Sequence, residues 1–303
     1  MKDITDKIET LRTAVAEAFL KIDAAILESV DQGRRTDKGD ALEVARVAGV
    51  MAAKRTWENI PFCHPVPITY ANVAYSFEAD GIALRATVKT MASTGVEMEA
   101  LSAASMCALT LYDMLKPHAP ADTGVIEIQS IRLVAKSGGK SDFRLQAGDR
   151  PLRAAVLMVS DAVVAGDKDD AAAQVVLERL KRYAHIELVD YEILSNDTDL
   201  LRQSVDGLLA RGLDLLVTVG GTGLGERDLT VETLERVLDR QIPGIMEFAR
   251  AHGQRRTPRA MLSRGIAGSV EGTLVLALPG STRGARESCD ALFPGVLHYF
   301  EQC

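Results

Sequence analysis

Lys38 sits in a Lys-Gly-Asp turn, Cys63 and His64 stand side by side in IPFCHPVPI, and Glu97, Glu99, Asp113 and Lys116 fall along one run, VEMEALSAASMCALTLYDMLK. Amines, carboxylates, a thiol and an imidazole are the groups that move protons or hold charged substrates near neutral pH. A free lysine, with a pKa of about 10.4, is a poor base there unless burial or a second cation lowers it. The adjacent Cys63 and His64 also raise metal binding as a reading. The four cysteines, at 63, 107, 289 and 303, form no C-x-x-C pair, so neither a zinc knuckle nor a disulfide framework is supported. In AKSGGKS, glycines beside Lys136 and Lys140 let backbone amides approach an anion. Further on, LVTVGGTGLGERDLT sets Gly220, Gly221, Thr222 and Gly223 directly after an apolar strand, where amides can hold a phosphate. It has neither the P-loop nor the dinucleotide-binding spacing. For any of these charges alone, a solvated surface group is the plain alternative.

The elements that carry them change character near Gly148–Pro151. Before it, the alanine-rich stretch from Thr36 to Trp57 reads as a helix ending before Pro61, and ITYANVAYSFEADGIALRATVKT reads as a hairpin turning at Ala-Asp-Gly. About 20 residues without Gly or Pro then form a long helix stopping at Lys116-Pro117, and VIEIQSIRLVAKS is a closing strand. Residues 1–149 are therefore expected to form an α+β domain with an antiparallel sheet. From 150 to 303, apolar strands (RAAVLMVSD, IELVDYEIL, LDLLVTVGG, TLVLALPG) alternate with helical stretches, which implies a doubly wound, mostly parallel α/β sheet.

The 303 residues suit two domains, and 47% hydrophobic with 25% charged residues describes globular chains rather than disordered ones. Lys and Arg number 18 against 20 acidic residues up to Arg150 and 17 against 22 beyond it, so neither half carries the basic field of a nucleic-acid binder. An anionic ligand needs local donors in a pocket. No apolar run approaches the roughly 20 residues that span a bilayer, and MKDITDKIETLR has no apolar signal core. A cytoplasmic protein without membrane or nucleic-acid partners is expected.

Geometry constrains the long helix. Glu99 and Asp113 are 14 residues apart, which puts them within roughly 40° of one face but about 21 Å apart along the axis. One chain cannot offer both to one small pocket. If they serve the same chemistry, the site lies between subunits of a homo-oligomer.

The runs KGDALEVARVAGVMAAKRTWENIPFCHP, TGVEMEALSAASMCALTLYDMLK and LVAKSGGKS together resemble the MoaC family of cyclic pyranopterin monophosphate synthases, over roughly residues 1 to 145. MKDITDKIETLRTAVAEA is similar to that family's opening strand. The resemblance implies a ferredoxin-like domain. It also implies a lyase that rearranges a cyclised dihydro-GTP to a pyranopterin with a cyclic phosphate, releasing pyrophosphate without a cofactor. By the same resemblance Lys38, Asp113 and Lys116 are catalytic, while Phe62, Cys63, His64, Met98 and Glu99, with Glu97 beside them, hold the substrate. The Cys63-His64 pair then contacts a nucleotide-derived substrate rather than a metal.

GGTG, RDLT, IPGIMEF, AMLSRG and LPGS, in that order, resemble the molybdopterin-binding fold of the MoaB and MogA family over roughly residues 153 to 300. Active members transfer AMP from ATP to the dithiolene pterin with Mg²⁺. The resemblance gathers Gly220, Gly221, Thr222, Gly223, Asp197, Asp228, Pro279, Gly280 and Ser281 into a second site, with Asp228 the candidate magnesium ligand. Three departures bear on activity. The first loop reads DKDDAAAQ instead of placing Ser-Gly after an aspartate, Asn196-Asp197 replaces an acidic pair, and Val231 replaces a proline. A silent pterin-binding or oligomerising module is the competing expectation for this half. A pterin carrier with a vestigial first domain is less favoured, because the first half's acid-base set is intact.

Overall fold

The computed structural model describes residues 1–31, 36, 38–118, 126–139, 142 and 150–301. The chain divides into two units, Met1–Asp142 and Phe143–Cys303.

In the first unit, strand β1 (Thr10–Ile22) is followed by helices α1 (Ala24–Asp31), α2 (Ala41–Lys54) and α3 (Thr56–Asn59). The hairpin β2 (Tyr70–Glu78) and β3 (Gly81–Ala92) comes next, then α4 (Glu97–Leu115), a 3-10 turn at Lys116–His118, and β4 (Ile126–Ser137). The sheet order is β2-β3-β1-β4, antiparallel throughout, which is the ferredoxin-like arrangement. Burial alternates strictly along β1 because one face alone is covered. Ala14, Ala16, Ala18 and Leu20 join Ile82, Leu84, Ala86 and Val88 of β3 beneath Ala45 of α2 and Ala103, Ala104, Cys107 and Leu111 of α4.

The predicted helix from Thr36 begins later, at Ala41. Thr36 and Gly39 exchange backbone hydrogen bonds of 2.9 Å across a tight turn, and Gly39 takes φ +109°, so neither can be helical. Asp40 then caps α2 by accepting the Glu43 amide at 3.0 Å. The small residues between α2 and α4 bring the two backbones close. A Cβ at Gly49 would stand 3.0 Å from the Ala103 carbonyl oxygen and 3.2 Å from Cys107 Cβ. Gly49→Ala, ordinarily a gain in a helix, is therefore expected to cost about 1–2 kcal/mol, read as a lowered urea midpoint with unchanged m-value. An unchanged midpoint would show that the seam yields.

The second unit runs β5 (Leu152–Val159), α5 (Asp161–Val164), α6 (Ala171–Leu180), β6 (Ile186–Leu194), α7 (Thr198–Ala210), β7 (Leu215–Val219) and α8 (Thr230–Glu235). It continues with β8 (Arg240–Gln241), α9 (Pro243–Gln254), β9 (Ala267–Val270), β10 (Thr273–Leu278) and α10 (Thr282–Leu292). The order is β6-β5-β7-β10-β9-β8, with β6, β5, β7 and β10 parallel and β9 and β8 antiparallel at one edge. Both faces are covered, and β5 shows why its run is wholly apolar. Ala154, Val156 and Met158 enter a core with α6, α9 and α10, while Ala155, Leu157 and Val159 enter another with α7 and α8. The order in which strands are added reverses between β5 and β7, with β6 on one side of β5 and β7 and β10 on the other, the switch point where open α/β sheets place their ligands.

Candidate functional site

The first unit offers two groups of side chains at opposite ends of α4. At its C-terminal end the Asp113 carboxylate lies between two ammonium groups, Lys38 Nζ at 2.7 Å and Lys116 Nζ at 2.8 Å. Lys38 reaches it from the Thr36–Gly39 turn, and Lys116 is the C-cap of α4. All three side chains are half-exposed. Hydrogen bonds from Lys116 and Lys38, together with their charges, hold Asp113 down at about 2. The same contact raises Lys116. Burial does not lower the Lys116 amine, contrary to the sequence expectation for a catalytic lysine, because the carboxylate outweighs what little solvent it loses. A lysine paired in this way is suited to donating a proton or holding an anion, and would need to lose Asp113 or be desolvated to serve as a base.

At the other end, Glu99 is buried in the first turn of α4, and burial raises its carboxyl, followed by the like charge of Glu97. Cys63, half-buried, has its thiol raised by burial first and by Glu99 second. Phe62 is 76% exposed, and Met98 is also exposed. His64 is half-buried beside Cys63, with the Asp3 carboxylate within electrostatic range. Glu97 pairs with Lys136 Nζ at 3.2 Å. These two line a cavity of about 300 Å³ with Lys7, Arg12, Ser93 and Thr94.

Arg12 is the functional candidate that the sequence concealed. In an alternating strand an arginine reads as solvent-facing. Here pairing with β3 and β4 buries it, Nε donates to the Ala92 carbonyl at 3.2 Å, and burial lowers its pKa against the pull of Glu97. Lys140 lies outside the described residues. The Gly138 amide expected to meet an anion instead donates to Asp142 Oδ2 at 2.5 Å. Among the described residues no three His, Cys, Asp or Glu side chains are grouped to hold a metal ion. Lys38, Asp113 and Lys116 are thus brought together, as are Glu97 with Lys136 and Glu99 with Cys63. The two groups are kept apart by the 19 residues of α4.

In the second unit the loops after three parallel strands converge. Gly220 (φ +104°) follows β7, and a Cβ on it would stand 2.2 Å from the Val159 carbonyl oxygen at the end of β5. A Cβ on Gly280, after β10, would stand 2.9 Å from Gly220 Cα. Only glycines allow this contact. Thr222 is buried, and its carbonyl accepts the Arg264 amide at 3.2 Å. The Arg264 side chain donates to the carbonyls of Gly223 (2.6 Å) and Asp228 (2.7 Å) and pairs with Glu232, fixing both ends of the loop.

Asp228 Oδ2 accepts the Gly225 amide at 2.9 Å, so one oxygen of the candidate magnesium ligand staples its own loop. Asp197 caps α7, accepting the amides of Asp199 and Leu200 at 2.9 Å. Asn196 donates its amide (2.9 Å) and side chain (3.1 Å) to Asp161, whose carboxyl is held down by those bonds and by Arg227 at 2.7 Å. Lys168, from the departing first loop, donates to the Gly280 carbonyl at 3.3 Å. Pro279 and Ser281 line a cavity of about 350 Å³ between α9 and α10, with Arg250, Arg259 and Arg283 around it. Asp161, Lys168, Arg264 and these arginines were not singled out from sequence, although Arg264 lies within the AMLSRG run.

A family model described as "MoaC family" matches residues 1–139, and one described as "Probable molybdopterin binding domain" matches residues 155–298. A molybdenum cofactor biosynthesis bifunctional protein from Chlorobaculum tepidum is 37% identical over 302 residues, 99% of this chain and 93% of that one. A cyclic pyranopterin monophosphate synthase from Nostoc sp. is 50% identical over 143 residues, 46% of this chain and 82% of that one. The crystal structure of the molybdopterin biosynthesis enzyme MoaB from Thermus thermophilus aligns with 50% of this chain and 95% of its own, at 40% identity and a TM-score of 0.47. Full-length similarity on this scale, with both family models in the same order, means that the chain belongs to the molybdenum cofactor biosynthesis bifunctional proteins, a MoaC domain followed by a molybdopterin-binding domain of MoaB/MogA type.

Proposed function

We propose that the first domain acts as a lyase on cyclised dihydro-GTP, forming cyclic pyranopterin monophosphate and releasing pyrophosphate, and that the second transfers AMP from ATP to molybdopterin. The observation that carries the first half is the Asp113 carboxylate bracketed by Lys38 and Lys116. Two ammonium groups held 2.7 and 2.8 Å from one carboxylate offer a phosphate a ready cationic pair and supply a proton to a departing oxygen or nitrogen. At the other end of α4, Glu99 is suited to holding polar N–H groups of the substrate and Lys136 its anionic part. The two ends meet in our reading across an interface between copies of the chain. The exposed apolar residues Val44, Val47 and Met51 of α2 and Met106, Leu109 and Tyr112 of α4 favour such a contact.

In the second domain, a phosphate oxygen of the pterin attacks the α-phosphorus of ATP, the bond to the β-phosphate oxygen breaks, and pyrophosphate leaves. The Gly220 amide is spent on the Leu278 carbonyl at 3.0 Å, which leaves the loop amides from Gly221 to Gly223 suited to the phosphates, and Lys168 and Arg227 to neutralising charge. Magnesium fits this donor set as a guest of the triphosphate, since Asp228 keeps one oxygen outside its loop bond while Asp161 is engaged by Asn196 and Arg227. When bound, it would neutralise the phosphate charge. Asp228→Asn is expected to slow ATP-dependent adenylylation at least tenfold, about 1.4 kcal/mol of transition-state stabilisation, with product followed by chromatography. No adenylylated product from the parent protein would leave the silent pterin-binding module as the reading. That second reading is favoured by Asn196, whose amide occupies the carboxylate of Asp161.

A further inference from the structure

The cavity between α9 and α10 is walled mostly by small and apolar residues, Met246, Ala249, Gly253, Ala260 and Pro279 among them, and one acidic group lines it, Glu287. The Glu287 side chain is 11% exposed, against 65% for its partner Arg283. Arg283 Nε donates to Glu287 Oε1 at 2.8 Å, and Arg283 Nη2 is itself anchored on the Arg256 carbonyl at 3.2 Å, so the carboxylate is fixed in direction. Room is kept on its other side. Gly253 has no side chain, and a Cβ there would stand 3.6 Å from Glu287 Oε2. Arg250 is partly committed, donating to the Gly265 carbonyl at 3.1 Å, whereas Arg259 is an exposed lining residue. The charge therefore divides into a carboxylate held inside by Arg283 and the Arg259 guanidinium, which is open to solvent.

That division matches a ligand with paired N–H donors at one end and an anion at the other. We infer that Glu287 recognises the amidine edge of a 2-amino-4-oxopteridine ring, with the phosphate-bearing end directed to Arg259. The ring N–H and the exocyclic amine next to it are parallel donors, spaced like two nitrogens of a guanidinium, and a carboxylate accepts them side by side. A carboxylate has about four acceptor sites, so Oε1 can serve Arg283 and the ring together. The flat ring then lies against the apolar wall. This assignment rests on the pterin reading of the second domain and adds to it the residue that separates rings bearing the exocyclic amine from those without it. An analogue with oxygen in place of the exocyclic amine would set an acceptor against the carboxylate.

The test uses the full chain and a local reporter, because the first domain also has a pocket for a nucleotide-derived molecule. Met246 lines the cavity, and its labelled methyl resonance, assigned through Met246→Leu, is followed during titration with pterin and, separately, with lumazine, the 2-oxo analogue. The parent is expected to bind pterin at least tenfold more tightly than lumazine, and Glu287→Gln to bring the two within threefold. Equal binding of both ligands by the parent overturns the inference and leaves the adenylylation reading standing. An undiminished preference in Glu287→Gln also overturns it. If Glu287→Gln does not fold, Glu287→Asp carries the same test, the withdrawn carboxylate being expected to lower the preference at least threefold. A Met246 signal that responds to neither ligand defeats the pterin reading of this cavity altogether.

Discussion

Lys116→Ala is expected to reduce pyranopterin formation by at least a hundredfold without unfolding the protein. The amine is half-exposed at the end of α4 and touches Asp113, so its removal costs little packing, and surface substitutions of this kind usually stay within about 0.5 kcal/mol. Loss of a positioned proton donor, by contrast, typically costs 10²- to 10⁴-fold in rate. A structural readout accompanies the kinetic one. With Lys116 gone, Asp113 retains Lys38 alone, and its titration, held at about 2 in the parent, should move up toward the ordinary carboxylate range. The sign follows from linkage. A carboxyl whose folded pKa is depressed stabilises the fold fully above its unfolded value, near 3.9, and the contribution disappears as pH falls toward 2. The acid limb of the parent's stability should therefore flatten in Lys116→Ala. Near-parental turnover would remove Lys116 from the chemistry, and an unmoved Asp113 titration would show that the contact does not persist in solution.

Mixed subunits should recover activity that neither parent mutant has. Glu99→Ala and Asp113→Ala each disable one end of α4 in every copy, so a pure preparation of either is expected to be inactive. After unfolding and joint refolding, some interfaces will pair an intact Glu99 end with an intact Asp113 end. Activity should return in a minority of sites, to about a quarter of the parent level if pairing is random between two copies. The 19-residue α4 forces this outcome if both ends serve one substrate, since its rise of 1.5 Å per residue keeps Glu99 and Asp113 about 21 Å apart. Proven subunit exchange with no recovered turnover would mean that the two ends do not share a site.

The parts legible in the sequence were those set by local rules. The hairpin at Ala79-Asp80, the long helix ending at Lys116, and the four parallel strands with apolar residues on both faces stand where periodicity put them. The ferredoxin-like order came from resemblance, since strand pairing leaves no period in the chain. The short antiparallel edge, β8 and β9, was not read, because two and four residues give no pattern. Nor was α9 read as a helix, since Gly244 and Gly253 interrupt its apolar spacing. At the sites, Lys38, Asp113 and Lys116 were marked by motif. Arg12 and Glu287 owe their burial to strands and helices distant in sequence, and their neighbours in the chain gave no sign of it. Lys140 lies outside the described residues, and Asp197 proved to cap α7.

The contact between Gly220 and Gly280 sets a rule for redesign. Backbone meets backbone there, and a Cβ on Gly280 would intrude to 2.9 Å from Gly220 Cα, so neither residue can be enlarged without displacing the other loop. The pocket flanked by α9 and α10 has no such restriction, since helical side chains there can be exchanged without altering the course of the backbone. Altered ligand preference in this domain should therefore be sought by varying residues such as Met246, Ala249 and Ser288, with the glycine loops left as a fixed chassis.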